Sequence, residues 1–252
     1  MCQLRVQERF ASAITDIGFD RGCDPLLQEY RLAPGITMTA AGKPELLATV
    51  FTDYICPFCY VGDVRLERLR EDYALRINWC FLELHPETPA EGMAASCLGY
   101  PDSKWQQMMD NLSRLAREEG ISFRPQTFTT NSHKSLLLAE AAKEDGADVF
   151  YALHSRLFEA FFTDGHNIGD EAVLKELASD AGVSSEVLSR AWTDTRYEER
   201  LGQYRAAAAE LDVCATPTIF FGEQQRLDGA LPLEVFKKVA RAGAAVQQAP
   251  AT

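Results

Sequence analysis

Two cysteines three residues apart constrain this chain more than any other feature. They stand in Asp53-Tyr54-Ile55-Cys56-Pro57-Phe58-Cys59-Tyr60-Val61-Gly62. An apolar run at 46–51 precedes them and a helical pattern follows. That order predicts a strand, a tight turn, and a helix whose first turn carries both sulfurs. Unsatisfied N–H groups and the macrodipole at a helix N-terminus favour negative charge. A thiol placed there ionises more readily, and the thiolate is the reactive form. Pro57 suits the first helical position, where its missing N–H would have no partner and its φ is already helical. Cys56 is therefore expected to be the exposed attacking thiol. Cys59, one turn further in, is expected to resolve a mixed disulfide.

Metal binding is the main competing use of such a pair. A zinc or iron–sulfur site needs about four ligands, so a lone pair needs a second pair of Cys or His. The remaining cysteines, Cys2, Cys23, Cys80, Cys97 and Cys214, are scattered singly, and the four histidines show no ligand-like pairing. Proline between two cysteines directly after a strand also argues against a chance pair of buried thiols. The redox reading is preferred, with no metal.

Composition narrows the partners. The 252 residues are 46% hydrophobic and 25% charged, ordinary values for a globular chain. The net charge of −12 argues against nucleic acid and against an anionic membrane surface. No run approaches transmembrane length, and the first residues lack the apolar core of an export signal. A reducing cytosol is the expected setting. There, seven cysteines at irregular spacing read as mostly free thiols plus one catalytic pair.

Along the chain, residues 1–44 read as an extension. Val6, Phe10, Ile14 and Ile17 recur at helical spacing, and a Gly- and Pro-punctuated loop follows. Strands are expected at 46–52 and 76–84, joined by a helix at 57–71 whose inward stripe would be Phe58, Val61, Gly62, Leu66 and Leu69. Strand, helix and strand with a short return make a parallel βαβ unit. From about 90 to 212 the signals are helical, with Ser103 a possible cap and Gly120 a stop, and with Asp170 capping a helix that begins at 171. A hairpin at 218–221 and 225–228, then a closing helix at 232–244, complete the set. Residues 245–252 read as a disordered tail.

At this point the residues resemble a known family. The Cys56–Cys59 motif, the helical insertion and Thr216-Pro217-Thr218 resemble the DsbA type of thioredoxin fold, and more closely its cytosolic FrnE-like branch. The marks of that branch are the Asp53 to Gly62 stretch, Phe81-Leu82-Glu83-Leu84-His85-Pro86, Glu91-Gly92-Met93, Ala160-Phe161-Phe162-Thr163 with Gly165, and Asn167-Ile168-Gly169-Asp170. The resemblance covers about 46–242. It implies an α/β thioredoxin fold, a mixed four-stranded sheet with flanking helices, interrupted by a large all-helical insertion at about 90–212 within a domain at 45–244. It further implies that Pro217 is cis and that the backbone of Thr216 receives an extended substrate, with Pro57 and Phe58 also contacting it. DsbA carries a buried Glu six residues before its first cysteine, where this chain has Val50. Asp53 is the nearest acid, and it could relay protons to Cys59, cap the helix or face water.

The activity implied is that of a thiol–disulfide oxidoreductase or isomerase. It would act through Cys56 and Cys59 on disulfide- or dithiol-containing proteins, with no cofactor and with glutathione as a possible redox partner. Two alternatives use other chemistry. One is a glutathione-binding enzyme similar to the 2-hydroxychromene-2-carboxylate isomerases, in which serine stands at the Cys56 position. The other is a non-catalytic redox adaptor that docks through the N-terminal extension or the insertion. Cys80 reads as buried and inert, and Cys97 as part of the insertion. Cys214 has a possible redox role through its closeness in sequence to Pro217. His85 reads as lining a groove or capping a strand end, and His133, His154 and His166 as surface or satisfied core residues.

Overall fold

The apolar run before the cysteines forms β1, Glu45–Thr52, one of the two inner strands of a four-stranded sheet. The computed structural model describes residues 42–247. The helical stripe expected at Val6, Phe10, Ile14 and Ile17 lies outside those residues, as do Cys2 and Cys23. β2, Ala74–Phe81, pairs parallel to β1, with Glu45 opposite Ala74 and Thr52 opposite Phe81. β5, Thr218–Phe221, runs antiparallel to β1, and β6, Gln225–Asp228, antiparallel to β5. The resulting order is β2-β1-β5-β6, a mixed sheet. Parallel neighbours need a long crossover, and α1, Pro57–Arg68, supplies it with a 3-10 turn at Leu69–Glu71.

Burial departs from the expected alternation. β2 buries Ile77, Asn78, Trp79, Cys80 and Phe81 in succession, as a strand covered on both faces does. In α1 and the 3-10 turn after it, Val61, Gly62, Leu66 and Leu69 are buried as expected, but Phe58 is only half-buried. Arg65 takes an inward place instead. Its guanidinium is fully buried and donates to the carbonyl of Ala230 at 3.1 Å and to that of Leu231. Spacing alone cannot foresee a cation in that stripe, because the carbonyls that satisfy it lie far away in sequence.

The described chain divides into two units. One holds the sheet and contains the residues up to Thr52, Gly62–Leu82 and the chain from Arg200 onward. The closing helix of this unit, Leu233–Gln247, packs on β1, β5 and β6. It runs through Gln247, which corrects the expectation of a disordered tail from 245. The Leu47 N–H donates to the Gln247 side-chain oxygen at 3.0 Å, and the Gln247 amide donates back to the Leu47 carbonyl at 3.1 Å. A single glutamine two hundred residues away in sequence thus ties the helix to strand backbone.

The other unit gathers Asp53–Val61 with Glu83–Glu199. Its helices are α2 (Asp102–Glu119), α3 (His133–Ala142), α4 (Ala147–Glu159), α5 (Glu171–Asp180), α6 (Ser185–Arg190) and the first part of α7 (Thr195–Glu210). The closing helix of the sheet unit is then α8. Phe150, Leu153, Leu157 and Phe158 of α4 are fully buried, as are Leu136 and Leu138 of α3. Asp170 caps α5 as expected, accepting from Ala172 N–H at 2.7 Å. α2 starts one residue before Ser103, with Pro101 at the cap position, so the expected Ser103 cap is not used. α2 ends at Gly120, whose φ of 71° suits glycine. A two-residue antiparallel ladder, β3 (Met93–Ala94) with β4 (Phe128–Thr129), also lies here. Elements of two residues carry no periodicity to read.

Candidate active site

Asp53 ends β1 and turns the chain. The Cys56 N–H donates to the Asp53 carbonyl at 3.1 Å. The Cys59 and Tyr60 N–H groups then donate to the Cys56 carbonyl at 3.0 and 3.4 Å. Turn passes directly into helix, so Cys56 sits immediately ahead of α1, Pro57 is its first residue, and Cys59 lies in its first turn. Both cysteines are thiols in this structure. The first turn of α1 carries no acidic side chain, so no carboxylate within that turn offsets the positive end of its dipole.

Cys56 is 5% exposed and Cys59 2%. This corrects the picture of Cys56 as an openly exposed thiol. The sequence locates the turn, but exposure is set by packing from residues distant in the chain. Pro57 and Phe58, between the cysteines, are both half-buried.

The carboxyl of Asp53 is fully buried. It accepts from the Leu84 N–H at 2.7 Å and from the Ile55 N–H at 3.3 Å. It neither faces water nor bonds the first-turn amides of α1. Instead it ties the cysteine turn to the segment just after β2. Burial pushes its pKa up to about 6. The amides of Leu84 and Ile55 and the Ser132 side chain pull the other way, and the like charge of Glu83 adds to the rise.

An aromatic cluster flanks the cysteines. The Tyr54 hydroxyl lies 2.8 Å from His154 Nδ1, both residues being buried. The Tyr54 ring packs edge-on against Phe158 at 4.9 Å. Tyr60 stacks on Phe158, centroids 5.2 Å apart and planes 3° from parallel. His154 is thus a satisfied core residue, one of the two readings its sequence context offers. The available signal was its place on the apolar face of α4 with Phe150, Leu153, Leu157 and Phe158. The cluster of Glu83, Ser132 and His133 beside Asp53 gave no local signal at all.

Cys56, Pro57, Phe58, Cys59 and Asp53 thus come together in one short turn of the helical unit. Thr216 and Pro217 belong to the sheet unit. The Thr216–Pro217 peptide bond is cis, and both residues are buried. The Pro217 carbonyl accepts from Gly229 N–H at 2.8 Å, and a Cβ built on Gly62 would lie 3.1 Å from Pro217 Cγ. Among the remaining described cysteines, Cys80 is fully buried while Cys97 and Cys214 are exposed. His85 is paired with Glu87 at 3.5 Å and stands edge-on to Tyr100. Among the described residues, no group of three or more His, Cys, Asp or Glu side chains could hold a metal ion.

Comparison with known proteins gives three results. A family model described as the DSBA-like thioredoxin domain matches residues 49–240. The uncharacterized protein YwbO of Bacillus subtilis (strain 168) is 27% identical over 192 residues, covering 75% of this chain and 92% of YwbO. Among solved structures, the fold is similar to the probable DsbA oxidoreductase SCO1869 of Streptomyces coelicolor, with a TM-score of 0.70 at 23% identity, covering 82% of this chain and 93% of that one. It is also similar to the cytosolic disulfide reductase DsbM of Pseudomonas aeruginosa, solved with GSH, with a TM-score of 0.57 at 17% identity, covering 81% and 98%.

Proposed function

This chain belongs to the DSBA-like thioredoxin domain family, and from that premise we propose that it is a thiol–disulfide oxidoreductase working through Cys56 and Cys59. The observation that carries the reading is the placement of a Cys-Pro-Phe-Cys pair across the first turn of α1. The Cys56 thiolate attacks one sulfur of a substrate disulfide, forming a mixed disulfide and expelling the other sulfur as a thiolate. Cys59, having lost its proton, attacks Cys56 Sγ and expels the second substrate thiolate. Two electrons and two protons pass from the dithiol to the substrate, leaving a Cys56–Cys59 disulfide. The reverse sequence oxidises a substrate dithiol. The sulfurs carry the electrons, so no bound cofactor is invoked. Glutathione, or a protein dithiol, returns the pair to its starting state.

Asp53 is proposed as the proton acceptor for Cys59. A carboxyl with a pKa near 6 exchanges protons readily at neutral pH, and it lies in the same turn as the pair. Pro57, Phe58, Thr216 and Pro217 are proposed as the substrate-contacting residues. The Thr216 main chain would pair with an extended segment as an added strand pairs with a sheet edge. The ordered motifs support the FrnE-like branch and a cytosolic setting.

The test is equilibration of the purified protein in graded glutathione redox buffers, read by thiol-specific mass shifts. A two-electron transition confined to Cys56 and Cys59 is expected, and its midpoint ranks the protein as reductant or oxidant. Cys56→Ser should abolish turnover, and Cys59→Ser should accumulate the mixed disulfide. Full reductase activity in Cys56→Ser would overturn the mechanism. Noncovalent glutathione binding without oxidation of the pair would favour the isomerase-type reading instead.

A further inference from the structure

His133 opens α3 with a carboxylate at each ring nitrogen. Nδ1 lies 3.3 Å from Glu83 and Nε2 lies 3.0 Å from Glu198. A neutral imidazole has one donor and one acceptor nitrogen, so it can donate to only one of these carboxylates; the imidazolium donates to both. The Glu83 side chain is 8% exposed, against 34% for His133 and 49% for Glu198. Glu83 is thus the inner partner. Its neighbour Leu84 donates its N–H to the Asp53 carboxyl, and the buried hydroxyl of Ser132, the neighbour of His133, makes no hydrogen bond among the described residues but is near enough to that carboxyl to favour its charged form. Two adjacent pairs of residues, 83–84 and 132–133, therefore place a buried carboxylate and an imidazole beside the carboxyl that serves the cysteines.

We propose that His133 is a positioning residue for that carboxyl: its positive charge, held between Glu83 and Glu198, offsets Glu83 and so sets how easily Asp53 gives up its proton. The catalytic meaning rests on the reading of Asp53 given above, while the electrostatic coupling stands on its own. In a buried site, like charges a few ångströms apart interact far more strongly than in water. A cation on the far side of Glu83 adds a potential at Asp53 that opposes the one from Glu83. The other charged groups around His133 are already engaged. Lys134 pairs with Glu171 of α5 at 3.0 Å, and Asp194, ahead of α7, pairs with Arg196. A cavity of about 270 Å³ lined by His133, Lys134, Leu137, Trp192, Asp194 and Glu198 leaves the imidazole open to exchange protons with water.

The test is a titration of the Asp53 carboxyl by carbon NMR in the full, reduced chain labelled at aspartate, in four forms: wild type, His133→Gln, Glu83→Gln and the double variant. His133→Gln should raise the Asp53 midpoint by roughly half a pH unit, and Glu83→Gln should lower it by a similar amount. In the Glu83→Gln background, His133→Gln should have a smaller effect, because the imidazole has lost the inner of the two carboxylates that hold its proton. His133→Arg, which keeps the charge, should restore the wild-type midpoint. Glu198→Gln sits at a half-exposed site and guards against misfolding of the inner variants. It should raise the midpoint slightly, and only while His133 is present. Equal shifts from His133→Gln with and without Glu83, or no shift at all, would overturn the proposal. No substrate enters this measurement, so failure of the oxidoreductase reading leaves it intact. The pH profile of thiol–disulfide exchange tests the catalytic part separately. A moved Asp53 midpoint with an unmoved exchange profile would remove Asp53 from the chemistry and keep the coupling.

Discussion

At the scale of the residue, Asp53 is the group whose burial most affects the protein's behaviour. Its pKa is raised from 3.8 to about 6. The folded state therefore holds the proton more tightly than the unfolded chain. The stability contributed by Asp53 falls as pH rises from about 4 to about 6, and the loss is complete above that. A difference of about two pH units corresponds to roughly 3 kcal/mol. Asp53→Asn should remove this dependence, so the variant should gain stability relative to wild type as pH rises, by about 1–3 kcal/mol between pH 4 and 7.5 in urea unfolding. An unchanged difference across that range would show that Asp53 is not the buried acid described. Gly62 makes a second residue-scale case. A Cβ there would stand 3.1 Å from Pro217 Cγ, and a branched side chain would press on that ring. Gly62→Val should cost about 1–3 kcal/mol in chemical denaturation. The sequence shows Asp53 as a candidate by its offset from Cys56, yet its environment comes from Leu84 and Ser132, distant in the chain. The reduced exposure of Cys56 is hidden from the sequence for the same reason.

At the scale of the element, α4 and the turn that follows it hold the cysteine turn from the side of its aromatic residues. α4 passes into a π-helical segment, Ala160–Asp164, which carries Phe161 and Phe162. Phe162 stacks on Tyr60 at 6.1 Å, alongside the closer Phe158. Phe158→Ala would remove a fully buried ring that also touches Tyr54 and His154. It should cost about 3–5 kcal/mol, and the loss should show first as faster hydrogen exchange at Cys59 and Tyr60. In the sheet unit, α8 approaches β5 so closely that a Cβ on Gly243 would meet Phe221 Cβ at 2.6 Å and its carbonyl oxygen at 2.7 Å. Gly243→Ala should lower the thermal midpoint despite its gain in helix propensity, by about 1–3 kcal/mol of stability. Strongly patterned elements are legible in the sequence: β1, α1 and the β5–β6 hairpin fall where periodicity and turn residues put them. The β3–β4 ladder is not, since its residues pair only because the chain between them folds back. Nor is the last turn of α8, whose anchor is the backbone of Leu47.

At the scale of the whole molecule, the chain passes between its two units at four places, after Thr52, Val61, Leu82 and Glu199. Neither unit is contiguous, and the cysteine turn counts with the helices rather than with the sheet. The sequence implies a helical insertion at about 90–212, where the helical unit takes in 83–199. It does not imply that residues 53–61 pack with it, because that membership depends on Tyr54 and Tyr60 meeting α4. Excising 83–199 should therefore leave Tyr54 and Val61, both fully buried, without their surroundings. The truncated chain should lose its near-UV circular dichroism and bind hydrophobic dyes; a native-like spectrum would show that the sheet unit folds without the helical one. Among the described residues no helix is long and apolar enough to cross a membrane. The crowding of the cysteine turn has a practical consequence for reactivity profiling. Ranked by access alone, the five described thiols would be alkylated with Cys97 and Cys214 first, then Cys56, and Cys59 and Cys80 last. A small electrophile that modifies Cys56 ahead of Cys97 and Cys214 would be reading nucleophilicity against an adverse steric order. The protein thus carries two of its own reference thiols, against which the activation of the third can be measured.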